Sequence, residues 1–261
     1  MTATPISAPI AIRRGPGNWG HSLTAMLRWH LTSMRLFLPL LVIVQMLIAA
    51  GLSVGMSLFF DQLTPESAIY LATGSAIINL IVVGLVVAPQ LIAGEKDEGT
   101  YDFSWSLPVP RSASVTAWLG LNALVGIPSM VIALAIGAWR LDVSYTVSWS
   151  VVPAVLLVLV CGTMLGSAVA HAIDKTAITQ LLSQVFAFGI LGFTPITYPP
   201  SHLPDWLASI HEVLPFYHMG VIVRGGLTVG MVTDVWVSYS VVLGWTLLAV
   251  VVTALVLGRR G

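Results

Sequence analysis

Six apolar runs free of Asp, Glu, Lys and Arg decide what this chain can become: Leu36–Phe60, Ile69–Ala93, Val115–Trp139, Val151–Ile173, Ala177–Thr197 and Val235–Leu257. The hydrocarbon core of a bilayer takes roughly 20 apolar residues as a helix. In hydrocarbon every backbone amide has to be bonded within its own segment, so the expected form is helical. The alternating pattern of a membrane β-barrel is absent. Composition agrees, with 57% hydrophobic and 8% charged residues, where a water-soluble domain carries about 25% charge. The first run, starting at Leu36, is longer than the roughly 7–15 residues of a signal-peptide core and reads as an uncleaved span. The fold class expected is an all-α integral membrane protein with six transmembrane helices.

Residues 1–18, rich in Pro, Gly, Ser and Thr, are expected to form a flexible cytoplasmic tail, and residues 19–261 a single six-span domain. Between Trp19 and Arg35 the residues Trp19, Leu23, Met26, Leu27, His30, Leu31 and Met34 recur at steps of three and four, while Arg28 and Arg35 fall off that stripe. This pattern predicts an N-terminal amphipathic helix lying in the membrane interface. Orientation follows from the basic residues. With both termini inside, Arg13, Arg14, Arg28, Arg35, Lys96, Arg111, Lys175, Arg259 and Arg260 are cytoplasmic, and only Arg140 and Arg224 lie outside. The expected location is the plasma membrane, with 94–111 and the turn His171–Thr176 cytoplasmic. Outside then lies 198–234, in which Trp206, Leu207 and Ile210 belong to an apolar stripe between prolines. Pro204–Val213 is expected as a short amphipathic helix and Phe216–Val223 as a second piece, together a re-entrant pair forming an extracellular lid before the last span.

Glycine pairs at Gly51/Gly55 and Gly162/Gly166 have the small-xxx-small spacing that lets helices approach closely. Formal net charge is zero, which gives no reason to expect a nucleic-acid partner. The single cysteine, Cys161, excludes an intrachain disulfide. Six histidines show no metal-ligand spacing, and no metal site is expected.

Charge is concentrated in one place. Gly94–Arg111 reads GEKDEGTYDFSWSLPVPR, with Glu95, Asp97, Glu98 and Asp102 inside eight residues. Gly94 is expected to end the second span, and Pro108 and Pro110 to stop a helix over Glu95–Leu107. In such a helix Glu98 and Asp102 share a face. With no histidine or nucleophile beside them and solvent around them, these carboxylates have nothing to raise their pKa values for catalysis. A docking surface for a cytoplasmic partner is the expected role, ahead of a solvated loop. His171, Asp174, Lys175 and Thr176 have the polarity of a second, smaller contact or of an ordinary turn.

In Glu95, Glu98-Gly99-Thr100-Tyr101 and Leu107-Pro108-Val109-Pro110-Arg111, placed before the third of six spans, the chain resembles the membrane subunit of type-2 ABC exporters. That family carries this helix against its ATP-binding subunit. The resemblance implies ATPase coupling through Glu95, Glu98, Gly99, Thr100, Tyr101, Asp102 and Arg111, with Asp174 and Lys175 as the second contact. Pro110 departs from the serine usual there. It also implies two copies of an ATP-binding subunit and a second permease, identical or homologous. No Gly-x-x-x-x-Gly-Lys-Ser/Thr phosphate loop occurs, so the chain is not expected to hydrolyse ATP; ATP and magnesium belong to the partner, and no cofactor is expected here.

The main polar side chains inside the spans are Gln45, Asn79, Gln90, Asn122, Gln180 and Gln184, none ionisable. A proton-coupled carrier would keep a mid-membrane carboxylate. An apolar pathway favours a lipophilic substrate, with Phe186, Phe188 and Phe193 available to it or to lipid. The expected function is efflux of lipophilic compounds such as drugs or antibiotics. Lipid or glycan export, a secondary carrier and a non-transport scaffold are the alternatives.

Overall fold

The structure, a computed structural model, describes residues 16–58, 64–232 and 235–259. The expected tail, apart from its last three residues, lies outside them. Helices dominate: α1 Pro16–Ser33, α2 Phe37–Leu58, α3 Pro65–Val82, α4 Ala88–Asp97, α5 Thr100–Ser106, α6 Arg111–Leu141, α7 Val151–Ala172, α8 Thr176–Phe193, α9 Asp205–Val213, α10 Pro215–Leu227 and α11 Val235–Arg259. A π-turn, Val83–Val87, joins α3 to α4 into one continuous span, Pro65–Asp97. Among the described residues there is no strand, only one isolated bridge between Thr146 and Thr228. Six helices are long and apolar enough to cross a membrane, as the apolar runs require.

The span α3–α4 is the axis of the bundle. Its most apolar window is 83% buried, against 22% for α2, 17% for α8 and 28% for α11. Its start is fixed locally: Thr64 accepts a bond from the Ser67 amide at 3.2 Å, Pro65 opens the first turn, and Glu66 sits at the positive end of the helix dipole. The π-turn coincides with a close backbone contact between helices. A Cβ on Gly84 would lie 2.8 Å from the Gly162 backbone, and one on Gly166 would strike the Gly84 carbonyl oxygen. The Gly162/Gly166 pair therefore seats α7 directly on the axis. Gly51 and Gly55 differ: nothing lies within 4 Å of either, so that pair faces outward from α2.

Two local expectations for the acidic stretch are overturned. Gly94 does not end the second span, which runs on to Asp97. A single helix over Glu95–Leu107 does not form either, because Gly99 adopts φ +74°, a left-handed conformation open to glycine at no steric cost. Glu98 and Asp102 therefore do not share a helical face, being on either side of that break.

The amphipathic stripe of α1 is real, but its inner face is protein. Met26 and His30 are buried, Leu27 reaches Gly120 of α6, and the Trp19 indole N–H donates to the Ser112 hydroxyl at 3.0 Å. At the opposite end of the bundle, α9 and α10 form where short helices were expected. Most of α10 is buried, packed against α3, α7 and α11.

Candidate functional site

The acidic end of the bundle divides its residues into an exposed set and an inward set. Asp97, Glu98, Gly99 and Asp102 are exposed, and so is Phe103, whose ring lies 5.7 Å from that of Trp29 on α1. Asp174 and Lys175, in the turn between α7 and α8, are exposed as well. Together these make an acidic surface with an aromatic centre. Turned inward are Glu95, Thr100, Tyr101 and Arg111. The Glu95 carboxylate stands 3.4 Å from His30 Nδ1, with side-chain exposures of 12% and 2%. His30 stacks at 4.4 Å on Trp118 of α6. The Thr100 hydroxyl donates back to the Glu95 carbonyl, bracing the break at Gly99. The Arg111 guanidinium, at the start of α6, donates to the Leu257 carbonyl near the end of α11.

The inward set also joins the two turns of this end. Lys96 Nζ donates to the carbonyls of Ala170 at 2.5 Å and Ile173 at 2.8 Å, the last turn of α7. The Tyr101 hydroxyl and His171 Nδ1 lie 2.9 Å apart, both side chains buried. No histidine had been expected beside the carboxylates of this stretch; His30 stands beside Glu95, and His171 beside Tyr101.

Within the spans a cleft of about 560 Å³ opens between α2, the α3–α4 axis and α8, a size typical of small-molecule sites. Its walls are mainly aliphatic, with Leu41, Ile48, Val86 and Leu191 among them, and four carboxamides face it: Gln45, Asn79, Gln90 and Gln184. Asn79 is fixed, donating to the Gln45 carbonyl at 3.0 Å and accepting from the Ser129 hydroxyl at 2.7 Å. Gln45 Oε1 is buried without a hydrogen-bond partner, a standing cost unless a donor comes to it. The other two intramembrane carboxamides lie elsewhere. Asn122 bonds Thr163 across α6 and α7, and Gln180 is exposed on α8. Phe188 and Phe193 also face outward from α8 and do not line the cleft.

At the proline-rich end Trp206 and Ile210 of α9 are exposed and Leu207 is half-buried. The helix is held by its other side. His211 Nε2 donates to the Phe193 carbonyl at 2.9 Å, and the Trp245 indole donates to the Val213 carbonyl. Burial pushes the His211 imidazole below its ordinary pKa of 6.5, the bond to Phe193 opposing in part. Among the described residues no three metal-ligating side chains gather.

Six apolar crossings around one axis, with an acidic turn between the second and third, agree with a match over residues 53–258 to the family described as ABC-2 family transporter protein. The chain belongs to that family. No curated protein matches it. The ABC-2 match covers the acidic turn, the cleft walls on the axis and α8, and both helices of the proline-rich end; α1 and most of α2, up to residue 52, lie outside it. As an ABC-2 transporter subunit, this is a multi-pass membrane protein of a kind that normally works with a separate ATP-binding subunit.

Sequence reading of this ABC-2 subunit had placed all seven residues of the 95–111 motif in one docking role. The structure brings Glu98, Gly99 and Asp102 to the surface and uses the other four as internal ties. It adds Phe103 and Trp29 to the surface, and Lys96, His171 and His30 to the ties. His30 carried a signal, its place on the apolar stripe of α1. Its partner Glu95 lies 65 positions on, beyond the reach of any local pattern.

Proposed function

We propose that this chain is the permease subunit of an ATP-driven exporter of lipophilic compounds. It works in the plasma membrane, both termini cytoplasmic, with two copies of an ATP-binding subunit and a second permease, identical or homologous. The observation that carries the reading is the exposed surface of Asp97, Glu98, Asp102 and Phe103, mounted at the end of the most buried span. A partner pressing there acts on the axis itself. Asp174 and Lys175 supply a second, smaller contact, and Trp206, Leu207 and Ile210 form the outer lid.

The cleft supports the substrate class. It holds no ionised group, so a charged substrate would enter undercompensated. Its aliphatic walls take an apolar body, and the carboxamides of Gln90 and Gln184, which are not buried, take a hydrogen-bonding group. A neutral amphipathic molecule of drug size meets both demands, as many antibiotics do. The outward faces of α2 and α8, with Gly51, Gly55, Gly189 and Gly192 open, are suited to the second permease.

The test is purification of the tagged chain from its native membrane in mild detergent, followed by mass spectrometry and ATP-driven uptake into inverted vesicles. An ATP-binding subunit at roughly equal stoichiometry, with uptake of neutral amphipathic dyes over anionic ones, is the expected result. Absence of any ATPase under gentle conditions overturns the proposal.

A further inference from the structure

The geometry points to Lys96, Tyr101 and His171 as a clamp that makes the two turns of the acidic end one mechanical unit, so that force on the acidic surface reaches two walls of the cleft, the axis and α8, together. This rests on the docking role proposed above and adds where the movement goes. The four last carbonyls of a helix lack intrahelical partners. Lys96 fills two such positions at the end of α7, donating to Ala170 and Ile173 with its charge at the negative end of the helix dipole. One residue beyond the first of these carbonyls, His171 meets the Tyr101 hydroxyl at 2.9 Å. Tyr101 is 6% and His171 3% exposed, so water does not compete for that bond. The Lys96 ammonium also lies 5.2 Å from the centre of the Tyr101 ring, within cation–π range.

The backbone break explains why this needs both sides of Gly99. Lys96 belongs to α4 and Tyr101 to α5. With φ +74° at Gly99 the chain folds back, and residues from both helices reach the same end of α7. The exposed acids Glu98 and Asp102 flank the break from outside. Pushing them shifts α4 and α5 and, through the clamp, the end of α7 and the turn that opens α8. The two elements that follow are two of the three walls of the cleft: the axis with Asn79 and Gln90, and α8 with Gln184. Lys96, Tyr101 and His171 are thus positioning residues for transport, acting through helices and not on substrate.

The experiment uses the full chain purified with its ATP-binding partner in proteoliposomes, reading transport and ATP hydrolysis together. Lys96→Met and Tyr101→Phe are expected to keep the partner bound and hydrolysing while transport per ATP falls about tenfold, the scale of losing one hydrogen bond. Lys96→Arg, which retains the donors, is expected to stay within a few-fold of the parent. On a Cys161→Ala background, a Tyr101→Cys/His171→Cys pair, which empties the space of both rings, bridged there by a bifunctional maleimide separates a mechanical role from a chemical one. Bridging is expected to restore transport per ATP lost in the unbridged pair. Full transport per ATP in both single variants, or no recovery after complete bridging, overturns the clamp. Failure of the docking role shows separately, as undiminished partner binding and transport in Glu98→Arg.

Discussion

The two ends of this bundle are fastened by different means. At the acidic end the ties are long polar side chains reaching helix termini: Lys96 to the end of α7, Arg111 to the end of α11, and the Trp19 indole to Ser112. The proline-rich end has such ties too, at His211 and Trp245, but there backbone also lies on backbone. A Cβ on Gly226 would stand 2.6 Å from the Val151 backbone, and one on Gly74 would stand 2.7 Å from the Thr197 Cα. There the largest polar group, Arg224, is 1% exposed, donating to Thr73 and to the Ile196 carbonyl with its guanidinium 4.0 Å from the Tyr70 ring. Side-chain ties tolerate rotation and small shifts, whereas backbone contacts have no slack. The difference suits the docking role proposed for the acidic end and the outer-lid role proposed for the other.

Stability is the quantity on which the ends should differ most. Gly226→Leu forces a side chain into the Val151 backbone, and overpacking of this kind costs about 3 kcal/mol. The expected outcome is a sharp fall in detergent melting temperature and in yield. A variant that melts like the parent would mean that the proline-rich end is as compliant as the acidic one. Arg224→Met should cost less, about 2 kcal/mol. It leaves the Ile196 carbonyl and Thr73 without their donor, but it also removes a buried guanidinium that, among the described residues, faces no carboxylate at hydrogen-bond distance. The second effect offsets part of the first. A gain in melting temperature would show that Arg224 is retained for something other than holding α10 to α3.

The same contrast explains what was legible in the sequence. The six spans could be read because membrane burial depends on residue type alone, and Leu36–Phe60 or Val235–Leu257 needs no partner to declare itself. The short helices α9 and α10 could be read from their prolines and apolar stripe. Tight contacts were half legible. Gly162/Gly166 and Gly51/Gly55 look alike in sequence, yet the first pair seats α7 on Gly84 and the second meets nothing. The break at Gly99 was hidden because a glycine inside a polar helical stretch is compatible with either course, and Pro108 and Pro110 offered a plainer stop further on. The ties were hidden for another reason. Lys96 with Ala170, Tyr101 with His171, and Arg111 with Leu257 join residues 70 or more positions apart. Only the fold decides such pairings.

Glu98→Arg reverses charge on the exposed surface and touches no internal tie. Stability should therefore stay within about 0.5 kcal/mol of the parent. Transport is expected to fall to background and the ATP-binding subunit to be lost from the purified complex, with membrane insertion unchanged. Co-purification and vesicle uptake measured on one preparation check this. Full ATP-dependent efflux in that variant would remove the acidic surface from the docking role.

The smallest effect is expected at Trp206, which is 65% exposed at the end otherwise fastened most tightly. His211, Trp245 and the packing of α10 hold α9 without it, so Trp206→Ala should change stability by no more than about 0.5 kcal/mol. An exposed indole at the rim of a membrane bundle can still slow or guide a lipophilic molecule leaving it, since tryptophan prefers the interface where such a molecule emerges. The expected phenotype is therefore slower release of an amphipathic dye, with ATPase co-purification at parental level. If Trp206→Ala instead weakened the ATPase partner, α9 would have to sit on the partner's side of the membrane, and the assignment of the acidic surface to the cytoplasm would fall with it.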